Sequence, residues 1–175
     1  MVSAQTLSES DRRLVALWAA DCAERVLPLF EAEAPDDDRA RDAIARTRSF
    51  ARRELTAAEE IRRRFVAGRA AKSASSRAGA AAARSAAQAS GVAHMGAHAL
   101  GAAAYAAAAA ALAQPERPDV LEEGIRWQLA QLSPEARAAL ASLPALGADS
   151  AGPLGAGLLA SGTLGVVIRR LQSEL

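Results

Sequence analysis

The sequence predicts an all-α protein, a helical bundle of five to seven helices around a central alanine-rich helix. Three observations predict it. Just over half of the 175 residues are hydrophobic, but only 3% are aromatic and much of the apolar share is alanine, the strongest helix former. Apolar residues recur at i, i+4 and i+7 along much of the chain. Recognisable helix starts precede several of those runs. An alanine side chain buries little area, so such a bundle must bring its helix backbones close together to make a core. The length suits one domain with a short appendage. The expected division is a helical bundle over residues 1–144, then a glycine-rich connector and short C-terminal helix over 145–175.

Residues 1–8 read as a frayed end. Ser10 reads as the cap of a first helix, with Asp11 in its first turn, where a carboxylate meets the positive end of the dipole. Leu14, Trp18, Cys22, Val26 and Leu29, joined by Val15 and Phe30, form its apolar stripe. Pro28 should kink or thin the last turn. One of Asp36, Asp37 and Asp38 caps a second helix whose buried side is Ile44, Thr47, Ala51 and Leu55. Thr56 and Glu59 are spaced as a capping box, so a third helix starts there, with Ala58, Ile61, Phe65 and Gly68 inward. Ser73, Ser75 and Ser76 loosen the pattern, and Gly79 is a potential break.

From Ser85 to Ala113 no residue is charged, counting histidine as neutral. That length raises the question of a membrane span. Alanine is barely apolar on insertion scales, and two histidines, Gln88 and Ser90 lie inside, so no span is expected. The stretch reads as one helix buried on all sides, ended by Gln114, Pro115 and Pro118. Asp119 caps a further helix holding Val120, Leu121, Ile125, Trp127 and Leu129. Ser133–Pro134 opens a short one that ends near Leu143–Pro144. Residues 145–163 hold five glycines and read as a mobile connector or tail. Leu164, Val167, Ile168 and Leu171 mark a last amphipathic helix.

The net charge of +1 hides an asymmetry. Residues 1–38 carry nine acidic and three basic side chains, residues 39–84 four and thirteen, and residues 85–175 seven and five. The basic block includes Arg46, Arg48, Arg52, Arg53, Arg62, Arg63, Arg64 and Arg69. It reads as a solvated face partly paired with the acidic first helix, or as a surface for an acidic partner, with Arg52, Arg62 and Arg63 as partner-binding candidates. Nucleic acid is an unlikely partner, since no aromatics interleave the arginines for stacking and no glycine-rich phosphate loop is present. A single cysteine, Cys22, excludes an intramolecular disulfide and a cysteine zinc site. No secretory signal opens the chain, which makes the cytoplasm the expected location.

His94 and His98 are four apart, and on one continuous helix they share a face with Gly101, Tyr105, Ala108 and Leu112. The 4, 3, 4, 3, 4 spacing is a seven-residue seam that turns both histidines and the only tyrosine toward a facing helix. The H-x-x-x-H pair is a weak metal candidate. Met95 stands where a zincin needs glutamate, so no metal site is favoured and no cofactor is expected. Asp21, on the edge of the first helix's apolar stripe, must pair or reach water. Its partner is either a seam histidine or a nearby arginine. Asp21, His94, His98 and Tyr105 are therefore the candidate ligand or polar-seam residues. No Ser-His-Asp order, glycosidase carboxylate pair or dinucleotide fingerprint can be assembled. The sequence therefore leans away from an enzyme and names no catalytic residue.

Two segments carry a family resemblance. One is Ala20-Asp21-Cys22-Ala23-Glu24-Arg25-Val26-Leu27-Pro28-Leu29-Phe30-Glu31, followed by Pro35-Asp36-Asp37-Asp38-Arg39-Ala40-Arg41-Asp42-Ala43-Ile44. The other is Ala93-His94-Met95-Gly96-Ala97-His98-Ala99-Leu100-Gly101-Ala102-Ala103-Ala104-Tyr105-Ala106. Over roughly residues 10–140 the chain resembles the fifth immunity-protein-like class, common in actinobacteria. The resemblance implies an all-helical protein that neutralises a cognate toxin of a bacterial polymorphic-toxin system, with Asp21, His94, His98 and Tyr105 at family-motif positions. The alternative is a small-molecule-binding protein or enzyme of antibiotic biosynthesis or resistance, with a pocket lined by His94, His98 and Tyr105.

Overall fold

Capping side chains set where the helices begin. In the computed structural model, which describes residues 3–63 and 65–175, helix α1 spans Glu9–Glu31. It starts one residue after Ser8, whose Oγ accepts the Asp11 N–H at 3.1 Å. Ser8 rather than Ser10 is thus the cap. Ser10 lies inside the first turn, where its hydroxyl reaches Ser8 and not the free amides. Helix α2 (Arg39–Ala51) follows Asp38. Helix α3 (Ala57–Arg63) opens on the expected box: Glu59 Oε2 accepts the Thr56 N–H at 2.7 Å and Thr56 Oγ1 accepts the Glu59 N–H at 3.3 Å. Helix α4 (Val66–Ala70) runs into a 3₁₀ turn, Ala71–Ser73. Ser76 does not loosen the pattern but caps helix α5 (Arg77–Gly91) through the Gly79 N–H, and Gly79 lies inside that helix.

The uncharged stretch is two helices, not one. Helix α5 stops at Gly91, and helix α6 (His98–Ala113) begins six residues on from Val92. Helices α7 (Val120–Ala130) and α8 (Pro134–Ala141) follow Asp119 and Ser133 as expected, and Ser133 Oγ accepts the Ala136 N–H at 3.1 Å. Helix α9 (Gly162–Glu174) closes the chain, after a 3₁₀ turn at Leu158–Ala160. No strand forms among the described residues. None of their helices is long and apolar enough to cross a membrane.

The architecture is an α5–α6 hairpin with α1 packed on both arms. Helix α2 covers α1 and α5, while α7 and α9 cover α6. Helix α6 is buried without a gap from Ala99 to Ala109. Methyl side chains alone let that many neighbours approach one helix, which is how an alanine-rich chain reaches core density. Bulk comes from the surrounding elements, with Trp18, Phe30, Phe50, Ile125, Leu140, Ile168 and Leu171 all buried. Several polar groups inside are bonded to backbone. Ser85 Oγ donates to the Ala102 carbonyl at 2.7 Å, and Gln128 Nε2 donates to the Ala103 carbonyl at 2.8 Å. Trp18 Nε1 donates to the Gln128 carbonyl at 2.8 Å.

Two packing expectations are corrected. The inner side of α3 and α4 is Glu60, Ala67 and Ala70, whereas Ala58, Phe65 and Gly68 face outward. Arg46 on α2 draws Glu60 inward, at 2.8 Å, and so rotates the element relative to its apolar pattern. Residues 3–8 are not a frayed end. Gln5 is fully buried, and its side chain donates to the Asp149 carbonyl at 2.9 Å and accepts the Leu154 N–H at 2.8 Å. Met1, Val2 and Arg64 of the expected frayed end and basic block lie outside the described residues.

The glycine-rich segment has its own bonds. Gly147, at φ +90°, donates its N–H to the Leu154 carbonyl at 2.7 Å, and the Leu146 N–H reaches Gln172 Oε1 at 3.0 Å. Only glycine adopts that φ without strain. Leu154 is fully buried, and α9 lies against α6 through Val167, Ile168 and Leu171.

Candidate functional site

The break between α5 and α6 builds the site. Helix propensity alone would carry α5 onward, since residues 92–97 contain no proline. Instead the backbone turns after Gly91, whose carbonyl accepts from both His94 and Met95 at 3.0 and 3.1 Å. The N-terminal segment takes the next two amides: Gly96 donates to the Thr6 carbonyl at 2.9 Å and Ala97 to the Gln5 carbonyl at 3.0 Å. A Cβ at position 96 would fall 2.7 Å from Leu7 Cγ, so this docking needs glycine there. Helix α6 then restarts at His98.

His94 and His98 are therefore not on one helix face. His94 sits exposed in the turn, and His98 is the first residue of α6. The four-residue spacing still brings them to one place, an open groove of about 780 Å³ lined by Phe65, Arg69, Gln88, Gly91, His94 and His98. His98 Nδ1 lies 2.8 Å from Gln88 Oε1. An amide oxygen only accepts, so with Gln88 in this orientation Nδ1 carries the proton and Nε2 presents its lone pair. Two glycines make the pair fit. A Cβ at Gly91 would lie 2.9 Å from His98 Cγ, and one at Gly101 would lie 2.9 Å from Gln88 Cδ. Burial, helped by the neighbouring His94, lowers the His98 pKa to about 4. The ring is thus a neutral hydrogen-bond acceptor at physiological pH.

The other two seam residues lie elsewhere. Tyr105 is on α6, 7% exposed and outside the groove. Burial raises its hydroxyl pKa, and the Arg84 charge opposes the rise. Asp21 does not pair with either histidine. Arg48 Nη2 reaches Asp21 Oδ1 at 2.7 Å and Glu24 Oε2 at 2.6 Å, tying α2 to α1. The guanidinium wins because α2 packs on that side of α1, whereas the histidine turn lies at the far end of α5. Hydrogen bonds from Arg48 hold the Glu24 pKa below its ordinary value.

Much of the basic block is neutralised internally. Arg39 pairs with Asp37, Arg41 with Glu31, Arg46 with Glu60 and Arg52 with Glu54. Of the three partner-binding candidates, Arg52 is thus engaged by a two-bond fork to Glu54, and Arg63 stands 3.6 Å from Asp42. Arg62 makes no ion pair or hydrogen bond through its side chain, and neither do Arg69, Lys72, Arg77 and Arg84. All five are exposed. Sequence reasoning missed two groove residues, Gln88 and Arg69. The visible signal for Gln88 was an amide within an uncharged run, followed by Gly91 and Gly101. Among the described residues no three His, Cys, Asp or Glu side chains cluster as a metal would need.

Fold and site define an all-helical bundle with a polar groove at one helical turn, bordered by the unpaired Arg69. The sequence model of the Imm-5 like putative immunity protein family matches residues 5–135, and the chain belongs to that family. The matched stretch contains the whole groove. No curated protein and no solved structure matches the chain.

Proposed function

We propose that the protein binds and neutralises a cognate toxin of a bacterial polymorphic-toxin system, acting in the cytoplasm. Beside family membership, one observation supports this reading. From Ile61 to Pro115 the chain has no acidic residue, and five of its cations in that stretch stand exposed and unpaired. Unpaired like charges on one part of a fold repel one another and contribute nothing to stability. They do steer and select an oppositely charged protein. The test is co-expression with any toxin domain encoded beside this gene. Growth should be restored and a complex should co-purify, and failure of both would sink the proposal.

The groove also favours a second reading. About 780 Å³ is within the usual size range of ligand sites. A small-molecule-binding protein or enzyme of antibiotic biosynthesis or resistance would use His94 and His98, with Gln88 and Arg69 in the place expected for Tyr105. Ligand-observed NMR against the products of a neighbouring biosynthetic cluster tests it. Line broadening that His98→Ala abolishes would favour it, and unbroadened spectra would dismiss it.

A further inference from the structure

We infer that the groove at the α5–α6 turn, continued along the open face of α5, receives an acidic segment of the partner protein. This rests on the toxin-binding reading above and names the surface that would do the work. Helix α5 has one side that its neighbours cover only in part. Along it Arg77, Ala80, Arg84, Ala87 and Gln88 follow at helical spacing and are exposed or half-buried, while the rest of the helix is largely buried. Arg77 and Arg84 are two turns apart on that side, roughly 10 Å. Across the groove α4 contributes Arg69, and Phe65 just before α4 is 63% exposed.

The floor between these cations is low. Gly68 lies against Ala87, where an added Cβ would only just touch the neighbouring methyl at 3.9 Å. Ala87 and Gly91 line the groove with little more than backbone and one methyl. A partner backbone can therefore approach α5 closely. Carboxylates of that segment pair with Arg69 and Arg84. His98 Nε2 has no partner among the described residues and, with Nδ1 committed to Gln88, accepts a bond rather than giving one. The group opposite it is a donor, such as a backbone amide or a serine or threonine hydroxyl. An acidic segment that also offers donors matches this groove, and a bare polyanion does not. Phosphate oxygens of a nucleic acid are acceptors that would oppose Nε2, and one exposed aromatic gives no stacking ladder.

The experiment uses the full chain and a fluorescein-labelled peptide of mixed Asp, Glu and Ser, with a labelled oligothymidylate in parallel. Three variants are compared with the wild type: Arg69→Glu with Arg84→Glu, His98→Phe, and Arg126→Glu. The last makes the same kind of charge change at an exposed, unpaired position on α7. Circular dichroism and melting confirm that each folds. The double charge reversal should weaken peptide binding by about tenfold or more, and the wild-type affinity should fall with salt. His98→Phe should weaken it less, and Arg126→Glu should leave it unchanged. On binding, the His98 Nε2 resonance should shift. Peptide binding that is absent, or equal in all variants, overturns the inference. So does an oligonucleotide that binds through the same residues when the peptide does not.

The same variants are then tested for rescue from the toxin. If the double reversal neutralises toxin as well as wild type does, the toxin docks elsewhere. The groove inference falls and the proposed function stands. If wild type itself neutralises none, the proposed function falls and the peptide result alone decides the groove.

Discussion

Acidification should weaken the fold through His98, and the size of the effect follows from its surroundings. The unfolded chain takes up a proton at His98 near pH 6.5, whereas the folded chain refuses it until about pH 4. Between those values the unfolded state binds more protons, so stability rises with pH across the window. It is fully present above 6.5 and is lost as the pH falls toward 4. A tenfold change in proton affinity is worth about 1.4 kcal/mol, which makes the full loss about 3 kcal/mol. The ring is open to the groove on one side, and solvent screening reduces this to about 2 kcal/mol.

Urea unfolding at a series of pH values, on wild type and His98→Gln, measures it. Wild type should lose about 2 kcal/mol more than the variant across the window. Glu60 works in the opposite sense, because burial raises its carboxyl pKa and the folded chain takes that proton first. Its contribution is common to both proteins and cancels in the difference. Nitrogen NMR adds a direct reading, with the proton on Nδ1 and a midpoint near 4. Parallel stability curves, or a His98 imidazole that titrates near 6.5, would refute the argument.

Three further outcomes are expected. Gly165→Ala places a Cβ inside the van der Waals shell of the Ala160 carbonyl, 2.6 Å from its carbon, and backbone cannot step aside. A loss of about 2 kcal/mol or more should appear in thermal unfolding, and an unchanged melt would contradict the packing of α9. Ser76→Ala removes the cap of α5 and a partner of Glu33, whose carboxylate also accepts from the Ser75 and Ser76 amides at 2.7 and 2.9 Å. Denaturant titration should report a cost of about 1 kcal/mol. Cys22 is 1% exposed, and burial pushes its thiol well above the ordinary range. Mass spectrometry after iodoacetamide should find it unmodified in the native protein and alkylated in denaturant.

The helices are legible because they are set locally, but only two of the expected caps bond as read, while Asp38 and Asp119 make no side-chain cap bond. Thr56 with Glu59 and Ser133 with Pro134 act within one turn, and alanine supplies the propensity between. The break at residues 92–97 is not legible in that way. It is made by carbonyls of Gln5 and Thr6, about ninety residues upstream, and local preference favours the unbroken helix that was expected. The candidate site suffered accordingly. The two histidines do meet, but in a turn, and Tyr105 is left outside the groove. Asp21 shows the same limit. Its position at the edge of a stripe says that it needs a partner, while the packing of α2 against α1 decides that the partner is Arg48. Glu60 shows that one buried ion pair can turn a short helix against its own apolar pattern.

Gln5 has a bearing on the order in which the molecule is assembled. Its backbone carbonyl holds Ala97, and its side chain holds Leu154 and Asp149. These contacts close loops of well over a hundred residues in the longest case, so they come late in folding and shape its final step. During synthesis the α1–α5–α6 centre is complete on the ribosome long before residues 149–154 emerge. Until they do, the segment around Gln5 lacks part of its seat, and the turn that forms the histidine groove is held by fewer bonds. Competence of the groove is therefore tied to the making of a segment outside it, and a nascent chain with its α1–α5–α6 centre in place is still unfinished where it would bind.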